Sequence, residues 1–128
     1  MKILLDTHIF LWFVIKDKRL AEKYYDAISN PDNGIYFSVV SVWEATIKYQ
    51  LGKLTLPESP VIYLPQQRKK HFISSLSIDE NTIAQLITLP PLHRDPFDRL
   101  LICQSLQHDL TLMTEDRAII SYPMAKLF

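Results

Sequence analysis

The chain has 128 residues, 48% of them hydrophobic and 22% charged, and its 14 Lys plus Arg equal its 14 Asp plus Glu. That length predicts one domain with a real core, and the composition excludes the disordered and fibrous classes. The charge balance excludes a bulk basic excess, so affinity for nucleic acid would have to come from local arrangement.

The lone Cys103 allows no internal disulfide, and the four scattered histidines form no structural-zinc pattern. No apolar run reaches the length of a membrane span, and Asp6 interrupts the N-terminal segment before a signal-peptide core could form. A reducing, cytoplasmic setting is the expectation.

Short apolar runs alternate with longer amphipathic ones, the pattern of an α/β fold. Residues 2–5 read as a buried strand. Thr7 to Val14 and Leu20 to Ser29 read as helices separated by the charged Lys16-Asp17-Lys18-Arg19, and Asn30 to Gly34 as a turn. Ile35-Tyr36-Phe37 is a second strand. Ser38 or Ser41 caps a helix over roughly 41–51 that Gly52 stops. Leu56 to Pro65, with Pro57, Pro60 and Pro65, reads as a loop or as the start of a short helix ending in Gln66-Gln67-Arg68-Lys69-Lys70. Phe72 to Leu76 is expected to be a strand, Asp79 to Ile87 a helix, and Pro90-Pro91 a break. Asp95-Pro96 then opens a helix to about His108, and a last strand, Leu110 to Met113, leads into Asp116.

Four acids stand out against this pattern. Asp6 and Asp116 each follow a predicted strand, and in an open parallel sheet the carboxyl ends of the strands border the ligand crevice. A helix cap or loop role would also explain each of them. Glu44 interrupts the helical stripe Val40, Ile47 and Leu51. A carboxylate on that face requires a cation, a hydrogen-bonding partner or a wet cleft, and a salt bridge to a basic side chain is the plain alternative. Asp98 follows Asp95 and Pro96 in a helix start that caps alone could explain, yet it lies at i, i+4 and i+8 with Ile102 and Leu106, on the face turned to the sheet. Carboxylates gathered in one place repel one another and lose solvation, so four together point to a hard divalent cation such as Mg²⁺ or Mn²⁺.

At this point the residues resemble a known family. Leu4-Leu5-Asp6-Thr7-His8, Trp43-Glu44, His93-Arg94-Asp95-Pro96-Phe97-Asp98-Arg99-Leu100-Leu101-Ile102 and Thr114-Glu115-Asp116 look like the signature stretches of PIN-domain proteins of the VapC type, the ribonuclease toxins of bacterial toxin–antitoxin pairs. The resemblance runs through nearly the whole chain. It implies a PIN-like three-layer α/β/α fold around a parallel sheet of four to five strands, with Asp6, Glu44, Asp98 and Asp116 binding Mg²⁺ or Mn²⁺ for phosphodiester hydrolysis. It implies most firmly that Asp6 and Asp98 are direct ligands, and that Asp116 acts through water. It gives Thr7, Thr114 and Asp95 supporting places, Asp95 as a cap or a neighbour of the ligands. It further implies an RNA substrate, an antitoxin partner and a homodimer.

The chemistry of the residues agrees. Hydrolysis of a phosphodiester must activate water and stabilise a crowded anionic transition state, which carboxylate-held metal ions can do. No other nucleophile is evident: Cys103 sits mid-helix among Leu100, Leu101, Ile102 and Leu106, and neither a nucleophile elbow nor a glycine-rich phosphate loop occurs.

Arg94 and Arg99, close to Asp98, are expected to contact substrate phosphates or to pair with the acids at rest, Arg99 with Asp95 in the simplest case. Lys16, Lys18, Arg19 and Lys23, and Arg68 to His71, read as solvated charge. His8 and His93 lie near the site without ligand spacing. The aromatic first half, with Phe10, Trp12, Phe13, Tyr24, Tyr25 and Trp43, would either fill the core or line a groove for an antitoxin helix. Two other functions fit the same residues: a nuclease of RNA processing or of DNA, and a catalytically idle module that binds RNA or a partner.

Overall fold

Four short strands lie side by side, all parallel, in the order β3-β2-β1-β4. The computed structural model describes residues 1–128. In chain order the elements are β1 (Lys2–Leu5), α1 (Thr7–Ile15), α2 (Glu22–Ser29), β2 (Gly34–Ser38), α3 (Val39–Gln50), α4 (Pro60–Lys70), β3 (Ser74–Leu76), α5 (Glu80–Thr88), α6 (Pro96–Gln107), β4 (Thr111–Met113) and α7 (Arg117–Ile120). The register sets Leu4 beside Tyr36 on one side and beside Leu112 on the other.

Side chains alternate across the sheet with the period of two that strands impose. Ile3, Leu5, Ile35, Phe37 and Met113 enter one core with Ile9, Phe10 and Phe13 of α1, Ile28 of α2 and Leu64 of α4. Leu4 and Leu112 enter the other with Leu100 to Cys103 of α6 and Ile119 of α7, and Tyr36 packs at its margin. The result is the expected three-layer α/β/α arrangement, with the predicted strand count at its lower end. Because β1 is buried on both faces, its run Ile-Leu-Leu shows no polar alternation, as expected of a central parallel strand.

Several boundaries differ from the sequence reading. Helix α3 begins at Val39, two residues early, because Ser38 rather than Ser41 is the cap: its hydroxyl accepts from Val40 N at 3.0 Å. The Ser41 hydroxyl is buried without a hydrogen-bond partner. The proline-rich segment does form a helix, α4, with Pro60 in its first turn and Pro65 tolerated inside it. Phe72 stays out of β3: its φ of 56° is left-handed and its side chain is 93% exposed. A short helix, α7, follows Asp116, where the sequence pattern ends without periodicity.

Candidate metal centre

Strands β2 and β3 lie on one side of β1 and β4 on the other, so the chain reverses its direction of strand addition between β1 and β4. Crevices at the carboxyl ends of strands form at such a switch point. Asp6 emerges from β1 and Thr114 to Asp116 from β4 at this place, tied together by Asp6 N donating to Met113 O at 3.0 Å. An open cleft of about 320 Å³ is lined there by Asp6, His8, Ile9, Trp12, Glu115 and Asp116.

Asp6 is the N-cap of α1, so its cap role and its site role coincide. Oδ1 accepts from Thr7 N at 2.7 Å, and Oδ2 accepts from the Thr114 hydroxyl at 2.8 Å. The same Thr114 oxygen accepts from Asp116 N at 3.0 Å, and Asp116 caps α7 through Ala118 N at 2.9 Å. Thr7 has a second function: its hydroxyl donates to Glu44 Oε1 at 2.7 Å, bridging the start of α1 to α3. Glu44 is buried, as the stripe implied, and its Oε2 lies 3.2 Å from Lys48 Nζ. Both a hydrogen-bonding partner and the plain salt bridge are therefore present, although Leu51 at the end of that stripe is 63% exposed.

Asp98 is buried in the first turn of α6, where His93 Nε2 meets its Oδ2 at 2.9 Å. Asp95 is the cap, accepting from Phe97 N at 2.9 Å. His93, Asp95 and Asp98 offer ligand atoms within 4.8 Å of one another. His93, expected near the site but not as a ligand, meets Asp98 through a loop that has no regular period.

The acids on these elements feel one another's charge. Burial raises the Asp98 carboxyl to about 7; the His93 hydrogen bond opposes this, and the charges of Asp95, Asp6 and Asp116 add to it. Burial raises Asp6 as well; Thr114 and the backbone of Thr7 oppose it, Glu44 adds to the rise and His8 opposes it. Lys48 on Glu44 and His93 on Asp98 are the basic partners, while Asp6 and Asp116 have none within salt-bridge distance. A set of oxygen donors short of positive charge fits a hard divalent cation.

Arg99 departs from the pairing with Asp95 that its spacing suggested. Arg99 makes no ion pair with Asp95 or with any other carboxylate; its guanidinium donates to loop carbonyls, to Pro90 O at 3.0 Å among others, and so is not free to meet a substrate phosphate. Arg94 is exposed. Of the aromatic residues, Phe10 and Phe13 are core, whereas Trp43 is 52% exposed.

Residues 3–123 match the PIN domain family. Ribonuclease VapC22 of Mycobacterium tuberculosis is 27% identical over 94% of this chain and 91% of its own length. Ribonuclease VapC16 of the same organism is 43% identical over a shorter stretch, 37% of this chain and 33% of its own. Among solved structures, VapBC2 from Rickettsia felis bound to a DNA fragment from its promoter superposes with a TM-score of 0.71, at 17% identity, over 100% of this chain and 98% of that one. DNA-bound VapBC from Salmonella typhimurium superposes with a TM-score of 0.69, at 17% identity, over 100% and 97%.

Proposed function

Because the chain belongs to the PIN domain family, we propose that it is a metal-dependent endoribonuclease of the VapC type, the toxin of a toxin–antitoxin pair. The observation that carries this reading is that acids from four separate elements feel one another: the charges of Asp6 and Asp116 add to the burial that raises the Asp98 carboxyl to about 7, and the charge of Glu44 adds to the rise at Asp6. The names of the two Mycobacterium tuberculosis relatives point to RNA as the substrate.

Asp6 and Asp98 would hold Mg²⁺ or Mn²⁺ directly, with Glu44 beside them and Asp116 acting through water. When bound, such an ion supplies an acidified water and charge neutralisation for the phosphoryl transition state. The chain's own residues prepare the site. Thr114 and the N–H of Thr7 fix both oxygens of Asp6, and the Thr7 hydroxyl fixes one oxygen of Glu44. His93 holds one oxygen of Asp98. Each carboxylate is thereby oriented before any cation arrives, which reduces reorganisation on binding.

The partner reading rests on an apolar groove of about 290 Å³ on α1 and the segment before α4, lined by Leu11, Trp12, Val14, Ile15, Leu54 and Leu56. His8 and Trp12 belong both to this groove and to the acidic cleft. An amphipathic antitoxin helix seated there would reach the cleft. A homodimer, a single-domain organisation and a cytoplasmic setting belong to the same proposal; no helix here is long and apolar enough to cross a membrane.

The test is to incubate antitoxin-free protein with tRNA, rRNA and single-stranded DNA in Mg²⁺, Mn²⁺ or EDTA, beside an Asp98→Asn control. RNA cleavage that needs metal and disappears in the variant is expected. Cleavage that survives EDTA or the substitution overturns the metal reading, and cleavage of DNA alone overturns the substrate.

A further inference from the structure

The loop joining α5 to α6, residues 89–95, makes few backbone hydrogen bonds of its own. Pro90 and Pro91 have no N–H to give, and Leu92 N to Pro90 O at 2.9 Å is the bond inside it. Its carbonyls instead converge on one side chain. Arg99 Nη1 donates to Pro90 O at 3.0 Å and to His93 O at 3.4 Å, and Nη2 donates to Leu89 O at 3.3 Å and to Leu86 O at 3.4 Å. Nη1 also donates to the hydroxyl of buried Tyr122 at 3.0 Å, and that hydroxyl donates onward to His93 O at 3.5 Å.

Arg99 is the neighbour of Asp98 on the first turn of α6, so both ends of the His93–Asp98 contact are rooted in the same turn: Asp98 directly, His93 through the guanidinium. We propose that Arg99 and Tyr122 are positioning residues for the metal centre, holding the 89–95 loop so that His93 keeps Asp98 Oδ2 at 2.9 Å and leaves Oδ1 for the cation. This inference rests on the metal-dependent reading above.

Three physical points support it. Ordering a loop residue costs backbone entropy, so His93 needs a scaffold to keep its contact. A planar guanidinium presents five donors in a fixed fork that spans separate carbonyls, whereas the ammonium of lysine offers three donors from a single atom. All the acceptors are uncharged, so the cation at position 99 stiffens the site without occupying a carboxylate that the metal requires.

The test is calorimetric titration of Mn²⁺ into metal-free protein, with the melting temperature recorded beside it, for wild type, His93→Ala, Arg99→Lys, the double variant and Tyr122→Phe. If Arg99 acts through His93, each of the first two variants weakens Mn²⁺ binding by roughly 10–100-fold, in the range seen for partners that orient ligands. The double variant is then no weaker than the worse single one, because the two losses share a cause. Tyr122→Phe shifts affinity in the same direction by less.

Losses that multiply in the double variant would overturn the proposal, as would Arg99→Lys lowering the melting temperature with Mn²⁺ affinity intact. Should Arg99→Lys fail to fold, the cycle of Tyr122→Phe with His93→Ala reads the same coupling. If wild type binds no Mn²⁺, the metal reading fails and takes this inference with it; if wild type binds and the variants bind equally, the positioning role alone fails.

Discussion

Thr114 and Asp6, 108 positions apart in the chain, are joined by a 2.8 Å hydrogen bond from the threonine hydroxyl to the aspartate Oδ2. The bond crosses from the end of β4 to the end of β1, and with Asp116 N donating to the same threonine oxygen it sets the geometry of one wall of the cleft. Thr114→Val keeps the shape and removes the hydroxyl. The expected cost is about 1.5–3 kcal/mol, because a buried carboxylate loses a donor, together with weaker Mn²⁺ binding. Urea unfolding and calorimetry measure the two effects; unchanged Mn²⁺ affinity would show that the hydroxyl serves stability alone.

Asp98 gives a pH dependence with a definite sign. Its carboxyl is raised to about 7 in the folded chain, against ~3.9 for an unfolded aspartate. Between those values the folded state holds a proton that the unfolded state has lost, so this residue's contribution to stability falls as pH rises from about 4 to about 7 and then levels off. Denaturant midpoints of metal-free protein across that window are expected to decline more steeply for wild type than for Asp98→Asn. Parallel profiles would refute the raised value.

Metal binding should appear as stability. A cation at one hundred times its dissociation constant adds ~2.7 kcal/mol, a rise in melting temperature on the order of 10 °C for a chain of this size. The rise should be largest above pH 7, where Asp98 is ionised, and should be lost in Asp6→Asn and Asp98→Asn. A melting curve indifferent to Mg²⁺ and Mn²⁺ would argue against the site.

Ser38 ties the start of α3 to α6. Its hydroxyl caps α3 at Val40 N and donates to Gln104 of α6, while Gln104 Nε2 holds Ser77 O at 3.1 Å. Ser38→Ala is expected to cost about 2 kcal/mol, roughly half from the lost cap and half from the stranded glutamine oxygen. A loss well under that in urea unfolding would mean that water replaces the hydroxyl.

Cys103 is fully buried and its thiol is raised by burial, with Arg99 opposing. Cys103→Ala should leave RNA cleavage unchanged, and a thiol reagent should react only once the chain unfolds. Loss of cleavage in that variant would reopen a thiol mechanism.

The readable features were those whose cause is local. Ile3-Leu4-Leu5 reads as a buried strand because no polar residue interrupts it, and Asp95-Pro96 opens α6 where a cap and a preset φ coincide. Glu44 could be singled out because burying a carboxylate in an apolar stripe demands a reason. The start of α3 was less legible, since Ser38 and Ser41 are equally good caps in isolation and only β2 running to Ser38 decides between them. Helix α4 was ambiguous because Pro65 removes a helical donor, a cost its packing through Tyr63 and Leu64 offsets.

Thus the order of elements from β1 to β4, α4 apart, the α/β class and the candidacy of the four acids were set by the sequence, because periodicity, caps and misplaced charge act over a few neighbouring residues. The tertiary structure decided what those acids do to one another. Placing β4 against β1 made Thr114 a partner of Asp6, brought Asp6 and Asp116 within range to raise Asp98, and turned Arg99 away from the acids toward the loop that carries His93. Such relationships depend on distances between residues far apart in the chain, and those distances exist only once the sheet has closed its register.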